Sequence, residues 1–250
     1  MSSKHYLMND STFSEGADVS RRGSFARLVI TICLVAICGF ADATCRAQST
    51  PDIFSRLDKA AQSFKGATAA IQVTTHTGII NEDEIQVGTV VVRRYSRDEI
   101  QFQINFKGKG AQGMALREQT FQIYYPEANL VREYPVGKYR DLAQKLILLG
   151  FGMPGRELAA NYEVNNLGAE QVQSQESIHL QLTPRAPDVL KQLSRVDLWI
   201  SLKANCPIQQ KFFMPSGDYR LATYSDIKIN PHLSDTALDF PKEAKREFMK

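Results

Sequence analysis

Strict alternation over residues 100–107 constrains this chain more than any other feature. Ile100, Phe102, Ile104 and Phe106 alternate with Gln101, Gln103, Asn105 and Lys107. Successive side chains of a strand point to opposite faces, so this run has one apolar and one polar face. The run 85–92 precedes it and ends in Arg93 and Arg94. Phe121, Ile123 and Tyr125 follow on one face, and then residues 130–134. The gaps are too short for parallel crossovers, which need a dozen or more residues. The stretch 85–134 therefore reads as an antiparallel meander with one apolar face, and what covers that face decides the function.

Upstream, residues 1–20 are polar and show no apolar period, while Arg21, Arg22 and Arg27 lead into an apolar run at 28–41. Small residues and Cys45-Arg46-Ala47-Gln48 follow. This is the pattern of a secretory signal peptide, with cleavage expected after Ala47, or alternatively after Ala43. The competing reading is a membrane anchor, but the run is about 14 residues and a spanning helix needs about 20. Ser20-Arg21-Arg22 is a weak match to a twin-arginine signal, and translation starting at Met8 would give a leader of more ordinary length. Residues 1–47 are thus expected to be removed and 48–250 to form one domain. Of four cysteines, Cys33, Cys38 and Cys45 leave with the leader. Cys206 alone remains, so no intrachain disulfide is expected in an oxidising compartment. Lipidation of Cys45 is the alternative, though Asp42 and Thr44 suit a lipoprotein box poorly.

The remaining chain is expected to open with a helix from Pro51 to Phe64. Its stripe is Ile53, Leu57, Ala60, Ala61 and Phe64, Arg56, Asp58, Lys59 and Gln62 face away, and Gly66 ends it. A second helix is expected over residues 139–149, with Tyr139, Leu142, Leu146 and Leu149 in line. Gly150, Gly152 and Gly155 then read as a mobile connection. Residues 81–84 read as an acidic loop. Further strands are expected around Ala69–Val73, Ile178–Leu182, Val196–Leu202, Ile208–Met214 and 219–229, followed by a polar tail. About ten or eleven strands in one antiparallel sheet cannot stay flat. Helices at the start and middle, rather than after each strand, argue against a doubly wound fold. The sheet must curl, with the two helices filling its concavity. A composition of 43% hydrophobic residues suffices for one substantial core, and a net charge of +3 is too small to imply a polyanion partner.

Several segments, in order, resemble the outer-membrane lipoprotein carrier (LolA-like) family over residues 52–245. They are Arg56-Leu57-Asp58-Lys59, residues 64–72, Gly88-Thr89-Val90-Val91-Val92-Arg93-Arg94, Gln119-Thr120-Phe121-Gln122-Ile123-Tyr124-Tyr125-Pro126 and Leu182-Thr183-Pro184-Arg185. Tyr95 departs from the family, which usually has proline after the basic pair, and the glycine-rich connection is longer than expected. The resemblance implies a mainly β fold, an unclosed antiparallel β-barrel with an α-helical lid. It implies a periplasmic chaperone that binds lipoprotein acyl chains and carries them from the inner to the outer membrane. The implied partners are acylated lipoproteins, an inner-membrane lipoprotein-releasing ABC transporter and an outer-membrane receptor, with the carrier itself a monomer. The alternatives are an anchored lipoprotein receptor or a lipid-binding stress sensor of the same fold.

Arg94 matches the family arginine that latches the lid; taken alone it is a solvated strand-end charge. Arg93 is expected to be solvated. Candidate cavity residues are Ile100, Phe102, Ile104, Phe106, Phe121, Ile123, Tyr125, Leu180, Leu182, Leu198 and Ile200. Candidate lid residues are Leu57, Phe64, Leu142, Leu146 and Leu149. Leu142, Leu146 and Leu149, and likewise Phe102, Phe106, Phe121 and Tyr125, are equally readable as fixed core. Trp199 lies among polar positions and is expected to be exposed. His76, His179 and His232 lack zinc spacing, and there is no nucleophile elbow or phosphate loop. No catalytic residue, metal, cofactor or nucleic-acid partner is therefore expected.

Overall fold

The computed structural model describes residues 49–96, 99–108, 110–137, 149 and 151–249. The apolar run at 28–41 lies outside the described residues, as does most of the expected second helix, with Leu142 and Leu146.

Helix α1 (Thr50–Ser63) starts behind Ser49, whose hydroxyl donates to Asp52 at 2.6 Å, with proline in its first turn. Ile53, Leu57 and Ala61 recur every fourth residue and are buried. The helix ends one residue before Phe64, and Gly66 does not end it. Instead the Asn230 side chain donates to the Ser63 carbonyl at 2.8 Å and accepts from the Lys65 amide at 2.7 Å. These bonds satisfy backbone groups that a helix end leaves unpaired. Gly66 opens the first strand, where an added Cβ would lie 2.5 Å from the Val92 carbonyl oxygen.

The strands are β1 (Gly66–Thr77), β2 (Glu82–Arg94), β3 (Ile100–Lys107), β4 (Gly113–Arg117), β5 (Thr120–Tyr125) and β6 (Leu130–Pro135). After them come β7 (Tyr162–Val172), β8 (Gln175–Pro184), β9 (Arg195–Ser201), β10 (Pro207–Phe213), β11 (Tyr219–Ile229) and β12 (Lys245–Phe248). Short helices α2 (Gly155–Asn161) and α3 (Pro187–Leu190) precede β7 and β9. The twelve strands form one sheet in the order β12-β6-β5-β4-β3-β2-β1-β11-β10-β9-β8-β7. Every pairing is antiparallel except β12 with β6. The sheet does not close, so this is the unclosed, mainly β barrel that the alternation and the resemblance predict. It has more strands than expected. The acidic stretch 82–84 begins β2 instead of looping, and the polar tail supplies β12.

The concave face splits by side-chain size. Over β8 and β9 it carries Ile178, Leu180, Leu182, Val196, Leu198 and Ile200. These pack against Ile53 and Leu57 of α1 and Leu158 of α2. Over β1, β2 and β11 the same face carries Ala67, Ala69, Val90, Val92 and Ala222 beside the larger Ile71, Val73 and Tyr224. Large residues fill the first half together with the apolar stripe of α1. In the second half three alanines, Ala67, Ala69 and Ala222, are part of the floor of a hollow.

The outer face is also covered. Residues 233–244 cross it, with Phe240 and Ala244 packed on Ala115 and Val131. Two expectations fail here because strand alternation reports a face but not what lies over it. Trp199 is buried with Val172 and Ile208; its indole N–H donates to Glu170 at 2.8 Å and its ring stacks on His179. Arg93 is not merely solvated, since its guanidinium donates to the Leu233 and Ser234 carbonyls, both at 2.7 Å.

Candidate lipid-binding cavity

The hollow half of the concave face is a chamber of about 440 Å³. Its floor is Ala67, Ala69, Val90, Val92 and Ala222, and its side is Phe102, Ile104, Phe106 and Met114. Register explains the grouping. Val92 lies across from Phe102, Val90 from Ile104 and Gly88 from Phe106, so all share one face. Gly88 cannot be larger, because a Cβ there would lie 2.2 Å from the Asn105 carbonyl oxygen. The far end is lined by Val73, Phe212, Met214 and Arg220.

The sequence candidates divide accordingly. Phe102, Ile104 and Phe106 line the chamber. Ile100 does not line it but is buried with Phe64, Val92 and Phe151. Leu180, Leu182, Leu198 and Ile200 lie in the packed half, among the cluster that also holds Leu57 and Leu149. Phe121 and Ile123 pair with Leu116 and Met114. With Tyr125 they extend the half-buried apolar face beyond the chamber. Phe64 belongs to the cluster that floors the chamber.

Phe151 lines one end of the chamber, and Leu149 and residues 151–155 lie beside it. The Arg94 guanidinium donates to the Ala61 carbonyl at 3.2 Å and to the Gly152 carbonyl at 2.8 Å. It also stands over the Phe64 ring, 5.4 Å from the centroid. Desolvation lowers its pKa, and the nearby Glu157 carboxylate partly opposes this. A single cation thus ties β2 to the last turn of α1 and to the connection. On the other side, the Gln210 amide donates to the Leu149 carbonyl and accepts from the Tyr224 hydroxyl at 2.7 Å. Burial pushes the Tyr224 phenol up, keeping it a neutral donor. Phe151 meets the Tyr224 ring edge-on at 5.1 Å.

Two glycines of this connection sit in tight contacts. Gly152 has φ +80°, and a Cβ there would fall 2.5 Å from the Phe64 ring. A Cβ on Gly155 would fall 2.5 Å from the Phe54 Cα. Both serve close approach to α1, and Leu149, Phe151 and Met153 are buried. Gly152 and Gly155 are thus used for close packing; Gly150 lies outside the described residues.

Sequence reasoning missed Gln210, Tyr224 and Phe151, along with the role of the small residues. A polar Gln on an inner face gives no apolar signal. Ala67 and Ala69 with Ala222 were legible as small residues at inward positions, but only once the pairing was known. Among the described residues, no group of three His, Cys, Asp or Glu side chains is disposed to hold a metal.

The molecule is therefore an unclosed β-barrel that encloses an apolar chamber under a hydrogen-bonded cover. No family model matches the chain, and no curated protein matches it. Solved structures do resemble it. An uncharacterised conserved protein from Thermus thermophilus superposes with a TM-score of 0.51 at 15% identity, covering 81% of this chain and 100% of that one. The lipoprotein LppX of Mycobacterium tuberculosis gives 0.47 at 11% identity, over 76% and 100%. A LolA superfamily protein from Nitrosomonas europaea gives 0.38 at 13% identity, over 78% and 99%. At these identities the likeness is one of fold.

Proposed function

We propose that this protein is a periplasmic carrier that binds the acyl chains of lipoproteins in its chamber and moves them from the inner to the outer membrane. The reading needs no catalytic residue and no cofactor. A leader over residues 1–47 delivers the chain across the inner membrane, a lipoprotein-releasing ABC transporter loads it, and an outer-membrane receptor unloads it. The observation that carries the reading is the apolar chamber of about 440 Å³, within the range of small-molecule sites, bounded at one end by Phe151 in a segment pinned through a few hydrogen bonds.

Magnitudes favour such a device. Burying a dozen methylenes gains roughly 10 kcal/mol. Displacing the cover forfeits two charged-donor bonds from Arg94, roughly 1.5–3 kcal/mol each. Association itself costs about 4 kcal/mol or more. What is left is small, as loading and release in turn require.

The test is displacement of an environment-sensitive apolar dye from the purified protein. An acylated lipoprotein N-terminal peptide should displace the dye, and the same peptide without acyl chains should not. Equal displacement by both would mean that the site reads polypeptide, and the carrier reading would fall.

A further inference from the structure

Strand β2 outruns one of its neighbours. It pairs with β1 from Glu82 to Arg93 but with β3 only from Val87 to Arg94. Among the described residues, no strand pairs with β2 on the β3 side over residues 82–86. Such an edge presents a row of unpaired N–H and C=O groups, and its side chains are largely exposed. The edge begins where the chamber stops. Val90 and Val92 of β2 line the chamber, and so does Val73, which lies across from Gln86. A chain that leaves the chamber along the inner face of β2 passes Gly88 and meets this edge.

Alternation gives the edge two chemistries. Gln86 and Glu84, across from Val73 and Thr75, continue the inner face, and Glu82 follows them. Ile85 and Val87 take the outer face, 61% and 50% exposed. Asp83 is also outward and is engaged by His76 at 2.7 Å. Lys107 lies across from Val87, again outward. The inner side of the edge is thus acidic and the outer side apolar. Two copies meeting edge to edge would crowd like charges, so a basic, extended partner suits the edge better than a second copy does.

We propose that the edge of β2 at residues 82–86 pairs with the polypeptide that trails an acyl chain held in the chamber, and that it favours extended segments alternating basic with apolar residues. This rests on the acyl-binding reading and adds a second contact to the same cargo. Backbone hydrogen bonds to the edge supply affinity, and alternate side chains supply selectivity. Cations of the tail face Glu82 and Glu84, and its apolar groups face Ile85 and Val87.

The experiment measures dye displacement by N-palmitoylglycinamide, which has no tail, and by N-palmitoyl peptides whose tails alternate valine with lysine or valine with glutamate. The valine–lysine ligand should bind about tenfold tighter than the tailless amide, and the valine–glutamate ligand no tighter. Added salt should shrink that preference, and the double variant Glu82→Gln/Glu84→Gln should bring the two tails to equal affinity. Both side chains are exposed, and thermal unfolding checks that the variant is folded. In hydrogen exchange, amides of residues 82–86 should slow with the valine–lysine ligand and not with the tailless amide. Equal affinity for all three ligands, or exchange at 82–86 that the tail leaves unchanged, overturns the docking edge while acyl binding stands. A lysine preference that survives the double variant places the tail elsewhere and overturns it too. If none of the three displaces the dye, acyl binding falls as well. Sedimentation of the unliganded protein as a dimer that Ile85→Lys dissociates would give the edge to a second copy, and the tail would have no place there.

Discussion

Arg93 and Arg94 are neighbours at the end of β2, yet their side chains leave opposite faces of the sheet and hold different things. Arg94 reaches inward to the Ala61 and Gly152 carbonyls. Arg93 reaches outward to the Leu233 and Ser234 carbonyls, with Asp235 at 3.9 Å. Replacing Arg94 by leucine removes the inner donors and adds apolar surface beside the chamber. Because Arg94 is only partly buried, the two lost bonds together favour the uncovered state by about 3 kcal/mol, the low end for charged donors. The variant is expected to keep binding acylated peptide but to pass it to acceptor membranes several-fold more slowly. Arg93→Leu is expected to lower the urea midpoint, because it frees the segment crossing the outer face, and to leave transfer unchanged. A transfer assay with a labelled lipoprotein separates them. If Arg94→Leu transfers at the normal rate, its bonds are structural only.

At the level of elements, β12 shows how a polar tail acquires a role. It pairs in parallel with β6, and Arg246 donates to the Glu133 carboxylate at 2.6 Å. Glu133 is buried despite its charge. A chain ending at Phe240 keeps the ring that packs on Ala115 and Val131 but loses this pairing. It leaves an unpaired buried carboxylate and a bare strand edge, so stability should fall by roughly 3 kcal/mol and aggregation should become concentration-dependent. Glu133→Gln in the truncated chain should recover much of that loss in urea unfolding. An unchanged midpoint on truncation would mean that the tail only drapes over the sheet. The same element marks the limit of what the sequence reveals. Strands with an apolar face, such as β3 and β9, are legible from alternation alone. β12, β4 and the edge strand β7 are not. β7 is mostly exposed and bulged at Asn166–Gly168. It turns into β8 through Gln173 and Ser174, both at positive φ, without the glycine or asparagine that usually marks such a turn. In the site, alternation exposes Phe102, Ile104 and Phe106, and the resemblance points to Arg94. The β8–β9 candidates fail to reach the chamber because α1 already fills that half, and which half a helix covers is a tertiary fact.

For the whole molecule, the division of the concave face predicts where ligand is felt. The half under α1 is packed with Leu180, Leu182, Leu198 and Ile200, whose exposures are 3% or less. Close-packed interiors do not yield space without a large cost in lost contacts. The half over β1, β2, β3 and β11 is already hollow, and its cover is tied down in large part by hydrogen bonds from Arg94 and Gln210. An acyl chain that enters should therefore act on the second half alone. In hydrogen exchange, adding acylated peptide should slow the amides of β1 to β3, whose inner faces become covered. It should speed those of residues 151–155, whose carbonyl ties are broken. Amides of β8 and β9 should exchange as before, since their opening reports the intact core. Unacylated peptide should leave all three regions unchanged. Protection spreading evenly over β8 and β9 would mean that ligand tightens the whole barrel, and the cover would then not be the moving part. Slowed exchange at 151–155 would mean that the ligand enters beneath a cover that stays shut. The chamber's far end at Met214 and Arg220 would then be its door.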